Sequence, residues 1–294
     1  MNNNVFNDLK VKVFQSGNPS YLYIGINTLI YVVVALINVP FFLSGNGGLI
    51  YDDFIREHFA FPANILSQPL QFYTIFTYQF FHDGFFHVLF NMLWLYWMGR
   101  IFLDFLKPRQ FHFVYLVGGL LGGVLFAVAF NIFPVFRNAF DATIIGSSAA
   151  VMAIVVATAT LVPNYSISLL LFGEVKLKYL AIAYVVLDLI GSTSANAGGS
   201  FAHLGGAFFG FAYIKALQSG TDWSAIFKKR PKLRVVNNKQ QSSRNDDAKR
   251  SASRKNEGYV DQREIDEILD KISKTGYDKL SKEEKETLFK ASKH

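Results

Sequence analysis

The sequence contains no cysteine, which excludes disulfides and thiol chemistry and leaves redox compartment without a signal. Charge is nearly missing from most of the chain. Of 29 Lys and Arg and 22 Asp and Glu residues, only 19 fall within residues 1–219, and the other 32 crowd into residues 220–294. The opening stretch MNNNVFNDLKVKVFQSGNPS lacks the apolar core and small-residue cleavage site of a signal peptide, so none is expected. What the chain has in excess is apolar surface: 51% hydrophobic and 16% aromatic residues, with 30 phenylalanines among 294 residues. So much apolar side chain with so little charge points to a membrane-embedded body followed by a soluble basic tail. The net charge of +7 comes mostly from that tail. Beside a membrane body, a basic tail reads as retention on the cytoplasmic side and contact with anionic lipid, not as nucleic-acid binding.

Apolar runs near residues 21–43, 85–105, 111–134, 143–163, 179–194 and 200–217 are expected to form six membrane helices, most close to the ~20 residues a crossing needs. Between the fourth and fifth, SISLLLFGEVKLK alternates as a small hairpin would. Lys10, Lys12, Arg100, Lys107, Arg109, Lys176, Lys178 and the KKRPKLR run fall on alternate connections, which places both termini in the cytoplasm. The glycines of GGLLGG (118–123) read as helix packing, and GGAFFG (205–210) has the same spacing.

The stretch HDGFFHVLFN puts His82, His87 and Asn91 at the head of the second apolar helix. Ser147 and Ser148 are expected about five residues into the fourth, and His203 near the start of the sixth. These helices all start on the outer side, so the polar groups share one level, within roughly 10 Å of the outer boundary. Taken singly, a serine in a membrane helix usually bonds to its own backbone, and a histidine is usually structural. Convergence at one depth instead implies a wet cavity. A serine hydroxyl needs a neighbouring base, which His203 can be, and a tetrahedral intermediate needs donors, which histidine and asparagine supply. No acid is expected to complete a triad: Asp83 adjoins the wrong histidine, and Asp188 is deep in the fifth span. A metal transporter using His82, His87 and His203 is a weaker reading, because five-residue spacing does not stack on one helix face and no carboxylate accompanies the histidines in the spans.

These patterns resemble the rhomboid family of intramembrane serine proteases. H-x4-H-x3-N is His82, His87 and Asn91; G-x-S-x is Gly146, Ser147, Ser148 and Ala149; A-H-x2-G-x3-G is Ala202, His203, Gly206 and Gly210. The resemblance covers about residues 20–217 and implies an all-α, polytopic six-helix bundle in the cytoplasmic membrane of a bacterium. It implies Ser148 as nucleophile, His203 as general base, and His87, Asn91 and the Ser148 N–H as oxyanion donors. His82 is structural on this reading, and no metal or cofactor is needed. Gly146, Ser147, Ala149, Met152, Gly206 and Gly210 would serve substrate approach or packing. Substrates would be membrane proteins with single or multiple spans, cut near the outer face at helix-weakening segments. The alternative is a catalytically silent relative that binds membrane proteins for quality control. Two departures stand out: Ala149 replaces the usual glycine after the nucleophile, and Met152 stands where an aromatic often underlies the catalytic histidine. The first outer loop (44–81) also lacks a tryptophan–arginine pair, and Asp104 stands where glutamate is common, so gating is expected to differ.

The organisation expected is a cytoplasmic arm (1–20), the six-span body (21–217), a basic flexible linker (218–258) and a helical hairpin (259–294) similar to a module on some bacterial rhomboids. In the hairpin, Ile265, Ile268, Leu269 and Ile272 share a helix face, Gly276 ends that helix, and Ser281 with Glu284 forms a capping box ahead of Leu288 and Phe289. Fewer than 40 residues are too few to fold stably alone, so the hairpin is expected to dock on a partner, on a second copy or on the membrane body, and the sequence does not choose among them.

Overall fold

The computed structural model describes residues 5–46, 54–64, 69–139, 141–169, 173–227 and 262–292. The chain divides into two units, residues 1–230 and 231–294. A short helix, α1 (Val5–Lys10), precedes α2 (Pro19–Phe41). The start of α2 is written locally. Asn18 accepts the backbone N–H of Ser20 at 2.9 Å and of Tyr21 at 3.4 Å, and Pro19 takes the first helical position, where a missing N–H costs nothing. The connection that follows carries two single turns, α3 (Arg56–Phe59) and α4 (Thr74–Thr77), and a short strand, β1 (Phe61–Pro62). Then come α5 (Phe85–Phe105) and α6 (Pro108–Ile132), with Pro108 first and the Gln110 side chain accepting the Lys107 N–H at 2.8 Å. Strand β2 (Thr143–Ile144) leads to α7 (Ser148–Leu161), the hairpin β3 (Ser166–Leu169) and β4 (Gly173–Lys176), then α8 (Leu177–Gly191) and α9 (Ala197–Gln218).

The expected long helices therefore appear, and the alternating loop is a β-hairpin. The fourth helix differs. Residues 143–144 are not its first turn but pair antiparallel with β1, Phe61 opposite Ile144 and Pro62 opposite Thr143. Gly146 then takes φ +130°, a conformation no helix continues through, and the helix begins at Ser148 itself. The β-branched pair Thr143–Ile144 prefers the strand once Phe61–Pro62 is available to it.

Helix α7 is the centre of the body: every residue from Ala149 to Ala159 is buried. It is apolar all round, as a helix enclosed on all sides must be. Glycine lets its neighbours come close. A side chain at Gly206 or Gly210 of α9 would overlap the carbonyl of Ala149 or Ala153, and one at Gly122 of α6 would meet the Ala149 methyl and the Ala202 carbonyl, each at 2.6 Å. The rim is the inverse of a water-soluble surface. Leu36 is 65% exposed, Leu187 66% and Phe208 71%, and such a continuous apolar exterior suits lipid. By length and apolarity alone, Pro19–Gly45 and Pro108–Ile132 qualify as membrane spans.

The body runs past residue 217. Asp222 accepts hydrogen bonds from Tyr213 at 3.0 Å, from Ser224 Oγ at 2.6 Å and from Arg109 at 2.6 Å, binding the chain after α9 to the start of α6. Burial alone would raise its carboxyl, but the bonds from Ser224 and Tyr213 and the Arg109 charge outweigh it and hold Asp222 below the usual 3.8. Most of the expected linker, 228–258, lies outside the described residues.

In the second unit α10 (Gln262–Thr275) and α11 (Lys282–Ala291) form the hairpin read from the sequence. Gly276 sits at φ +82° after α10, and the Ser281–Glu284 capping box is present, with bonds of 3.2 and 2.7 Å. Ile268 and Leu280 are buried, whereas Leu269 is half exposed.

Candidate active site

One cavity of about 710 Å³ opens among α5, α7, α8 and α9, and the side chains that line it include His87, Asn91, Trp94, Ser148, Tyr184 and His203. Each arrives by a local cause. The turn at Gly146 places Ser148 first on α7, half-buried, with its side chain on the cavity. A Cβ on Gly146 would lie 2.7 Å from the His87 ring and 3.7 Å from Ser148 Oγ, so only glycine fits between them. His87 and Asn91 stand one turn apart on α5, and Asn91 donates one amide hydrogen to the His87 carbonyl at 3.0 Å, leaving the other for a ligand.

The adjacent serines part company. Ser147 is fully buried, its hydroxyl 3.0 Å from His82 Nε2, and its backbone N–H donates to the same nitrogen at 3.4 Å. Burial, and then the neighbouring His87 ring, push the His82 imidazole well below the usual histidine range, so it is neutral and able to accept. His82 precedes α5 and ties the loop to the head of α7; its ring meets that of His87 edge-on at 5.1 Å.

Like His82 and Ser147, the expected approach or packing residues Ala149, Met152, Gly206 and Gly210 do not line the cavity; these four are buried in the contacts of α7 with its neighbours. The aromatic at His203 comes from another helix: Tyr184 of α8 meets its ring edge-on at 6.4 Å, and Trp94 of α5 stands against Tyr184 at 5.8 Å. At the mouth, Arg56 bridges Asp83 at 3.4 Å and reaches Thr143 Oγ1 at 3.4 Å; all three line the cavity. No sequence pattern pointed to Arg56.

The expectation about acids is overturned. Asp188 Oδ1 accepts the His203 Nδ1–H at 2.8 Å, and both side chains are largely buried. Asp188 lies three residues before the end of α8, about 5 Å along its axis, and a short turn leads directly into α9. Depth counted from the start of the fifth span placed it too far away. A signal was available: Ala181, Tyr184 and Asp188 share one face of that helix. With Nδ1 engaged, Nε2 is the His203 nitrogen left for a partner in the cavity. Ser148 Oγ has no hydrogen-bonded protein partner among the described residues, so it stands available at the same cavity.

A family model described as the Rhomboid domain matches residues 69–219, just over half of the chain. A second, described as a family of unknown function, matches residues 252–294, which contain the helical hairpin. No curated protein matches the chain significantly. The first match spans α5 to α9 and every residue named in the cavity except Arg56, and with the lipid-suited exterior it makes this chain a membrane protein of the rhomboid family, whose character is that of intramembrane proteases.

Proposed function

We propose that the protein is an intramembrane serine endopeptidase in which Ser148 is the nucleophile and His203 the general base. The observation that carries this reading is the shared cavity, where Ser148, His203, His87 and Asn91 meet although they come from three separate helices. Ser148 Oγ attacks the scissile carbonyl and passes its proton to His203 Nε2. The new oxyanion is received by the Ser148 backbone N–H, by His87 and by the free amide hydrogen of Asn91. His203 then returns the proton to the leaving amine, and water, activated by the same nitrogen, releases the acyl group. Ser147 is occupied by His82 and takes no part. A transport role for the three histidines is disfavoured, because His82 is committed to Ser147 and no three His, Asp or Glu side chains among the described residues are grouped to hold a metal ion.

The substrates are membrane-protein helices. A helix protects its own peptide bonds, so the cut falls in a segment weakened by small residues near the outer face. The six long helices are membrane spans with both termini cytoplasmic, and the hairpin is a separate module that docks on a partner. The decisive experiment offers the purified protein a labelled single-span substrate, with and without a mechanism-based serine inhibitor or a chelator. Cleavage should be abolished by the inhibitor and by Ser148→Ala, unaffected by the chelator, and largely kept by Ser147→Ala. Absence of both cleavage and inhibitor labelling is the result a silent binding relative would give, and it would refute the proposal; chelator sensitivity would point to a metal instead.

A further inference from the structure

We infer that Asp188 is a positioning residue that makes the Ser148–His203 pair a triad by holding and stabilising the base; this rests on the protease reading above. Three observations carry it. The carboxylate is aimed: Oδ1 lies 2.8 Å from His203 Nδ1. It is enclosed: Asp188 is 8% exposed, and its Oδ2 has no hydrogen-bond partner. And it sits in an apolar helix, between Leu187 and Leu189, where a carboxylate is costly and is retained when it serves a partner or a path.

The chemistry follows from charge. In the resting site the carboxylate is opposed only by the imidazole dipole, so its buried charge is poorly compensated. When Ser148 attacks, the Oγ–H bond breaks, its proton moves to His203 Nε2, and the ring becomes a cation 2.8 Å from the carboxylate. The stabilisation is therefore greatest once the proton has moved, which is the condition for lowering a barrier and not merely tightening the ground state. The Nδ1–H bond also fixes the tautomer, leaving Nε2 unprotonated and able to accept. Asp188 keeps its negative charge throughout and does not itself take the proton. Tyr184, one turn earlier on α8, packs on the opposite partner by meeting the His203 ring edge-on, so α8 supplies both the charge and the wall that orient the base. The other ionisable side chains on this cavity are His87 of α5, Tyr184 of α8, Tyr78 ahead of α5, and Arg56 and Asp83 at the mouth; α7 adds none among its described residues.

The test compares wild type, Ser148→Ala, Asp188→Asn and Asp188→Ser, all full-length, in one detergent. Readouts are kcat and KM for a labelled single-span substrate, the rate of labelling by a fluorophosphonate, and the folded fraction. Asp188→Asn keeps the shape but loses the charge. It should lower kcat and the labelling rate per folded protein by roughly 10²–10⁴-fold with KM within about threefold. A purely structural role would lower the folded fraction and leave kcat and labelling per folded protein near wild type. If Asp188→Asn accumulates poorly, Asp188→Ser, normalised to folded protein, must give the same loss. Activity and labelling unchanged in either folded variant overturns the inference while the protease reading stands. Wild-type protein that neither cleaves nor labels overturns both.

Discussion

The contact between α7 and α9 gives a direct way to move Ser148, the proposed nucleophile, from His203, its proposed base, without touching either. Gly206 lies one turn after His203 on α9, and Ala149 directly follows Ser148 on α7. A methyl at position 206 would overlap the Ala149 carbonyl oxygen. Restoring an ordinary carbon-to-oxygen contact of about 3.3 Å requires the two backbones to separate by roughly 1 Å, because both are rigid helix and neither offers a flexible side chain to give way. Overpacking on this scale costs about 1–3 kcal/mol. The same displacement moves the His203 ring relative to Ser148 Oγ, and a misplacement of ~1 Å at reacting groups costs about 10² in rate. Gly206→Ala should therefore lower the thermal midpoint in detergent by roughly 5 °C and kcat by about 10²-fold, with KM little changed, since the residues lining the cavity keep their own helices. Phe208→Ala on the same helix, 71% exposed, is the control and should leave kcat near wild type. Gly206→Ala protein with wild-type kcat and midpoint would refute the claim that backbone contact sets the distance between the pair.

Other consequences are as concrete. His87→Ala and Asn91→Ala should each lower kcat by about 10²–10³ with KM nearly unchanged, as loss of an oxyanion donor does; a fully active double variant would sink the assignment. Gly146→Ala needs a strained φ of +130° and drives a methyl into the His87 ring, so it should lose both stability and cleavage, measured by thermal midpoint and substrate turnover. Asp222, held below 3.8 in the folded protein, contributes stability that is present above the ordinary value and is lost as pH falls through the lowered one; thermal melts taken from about pH 5 down to about pH 2 should show a decline that Asp222→Asn shares less of. A chain ending after residue 230, which keeps the Asp222 bonds, should still insert and cleave a generic substrate, whereas loss of cleavage in well-folded protein would make the hairpin part of the enzyme.

Much of the fold was legible because long apolar helices announce themselves in one dimension. Apolar run length set their number, and local chemistry set their ends: Asn18–Pro19 before α2, Lys107–Pro108 before α6, Gly276 after α10. The fourth helix was misplaced at its start for the converse reason. Thr143 and Ile144 are as apolar as a helix turn requires, and only their partners Phe61 and Pro62, some eighty residues earlier, decide that they form a strand. Pairing over that distance leaves no mark in a hydropathy profile. The bonds of Asp222 to Arg109 and Tyr213 were hidden for the same reason: each residue alone looks like ordinary charge or aromaticity at a helix end.

Spacing decided how much of the site could be read. Residues that meet along one helix, such as His87 and Asn91, carry their relation in the number four. Ser148 and His203 lie on different helices, so only common depth linked them, and that depth was measured from the starts of helices entering from the same side. Asp188 is close to the end of its helix, and its nearness to His203 is counted from the end of α8, not its beginning. Tyr184, whose ring meets that of His203 edge-on, was missed with it. Where a short turn joins the end of one apolar helix to the start of the next, as between α8 and α9, an ionisable residue close to either end of an apolar run belongs among the candidates for the same site.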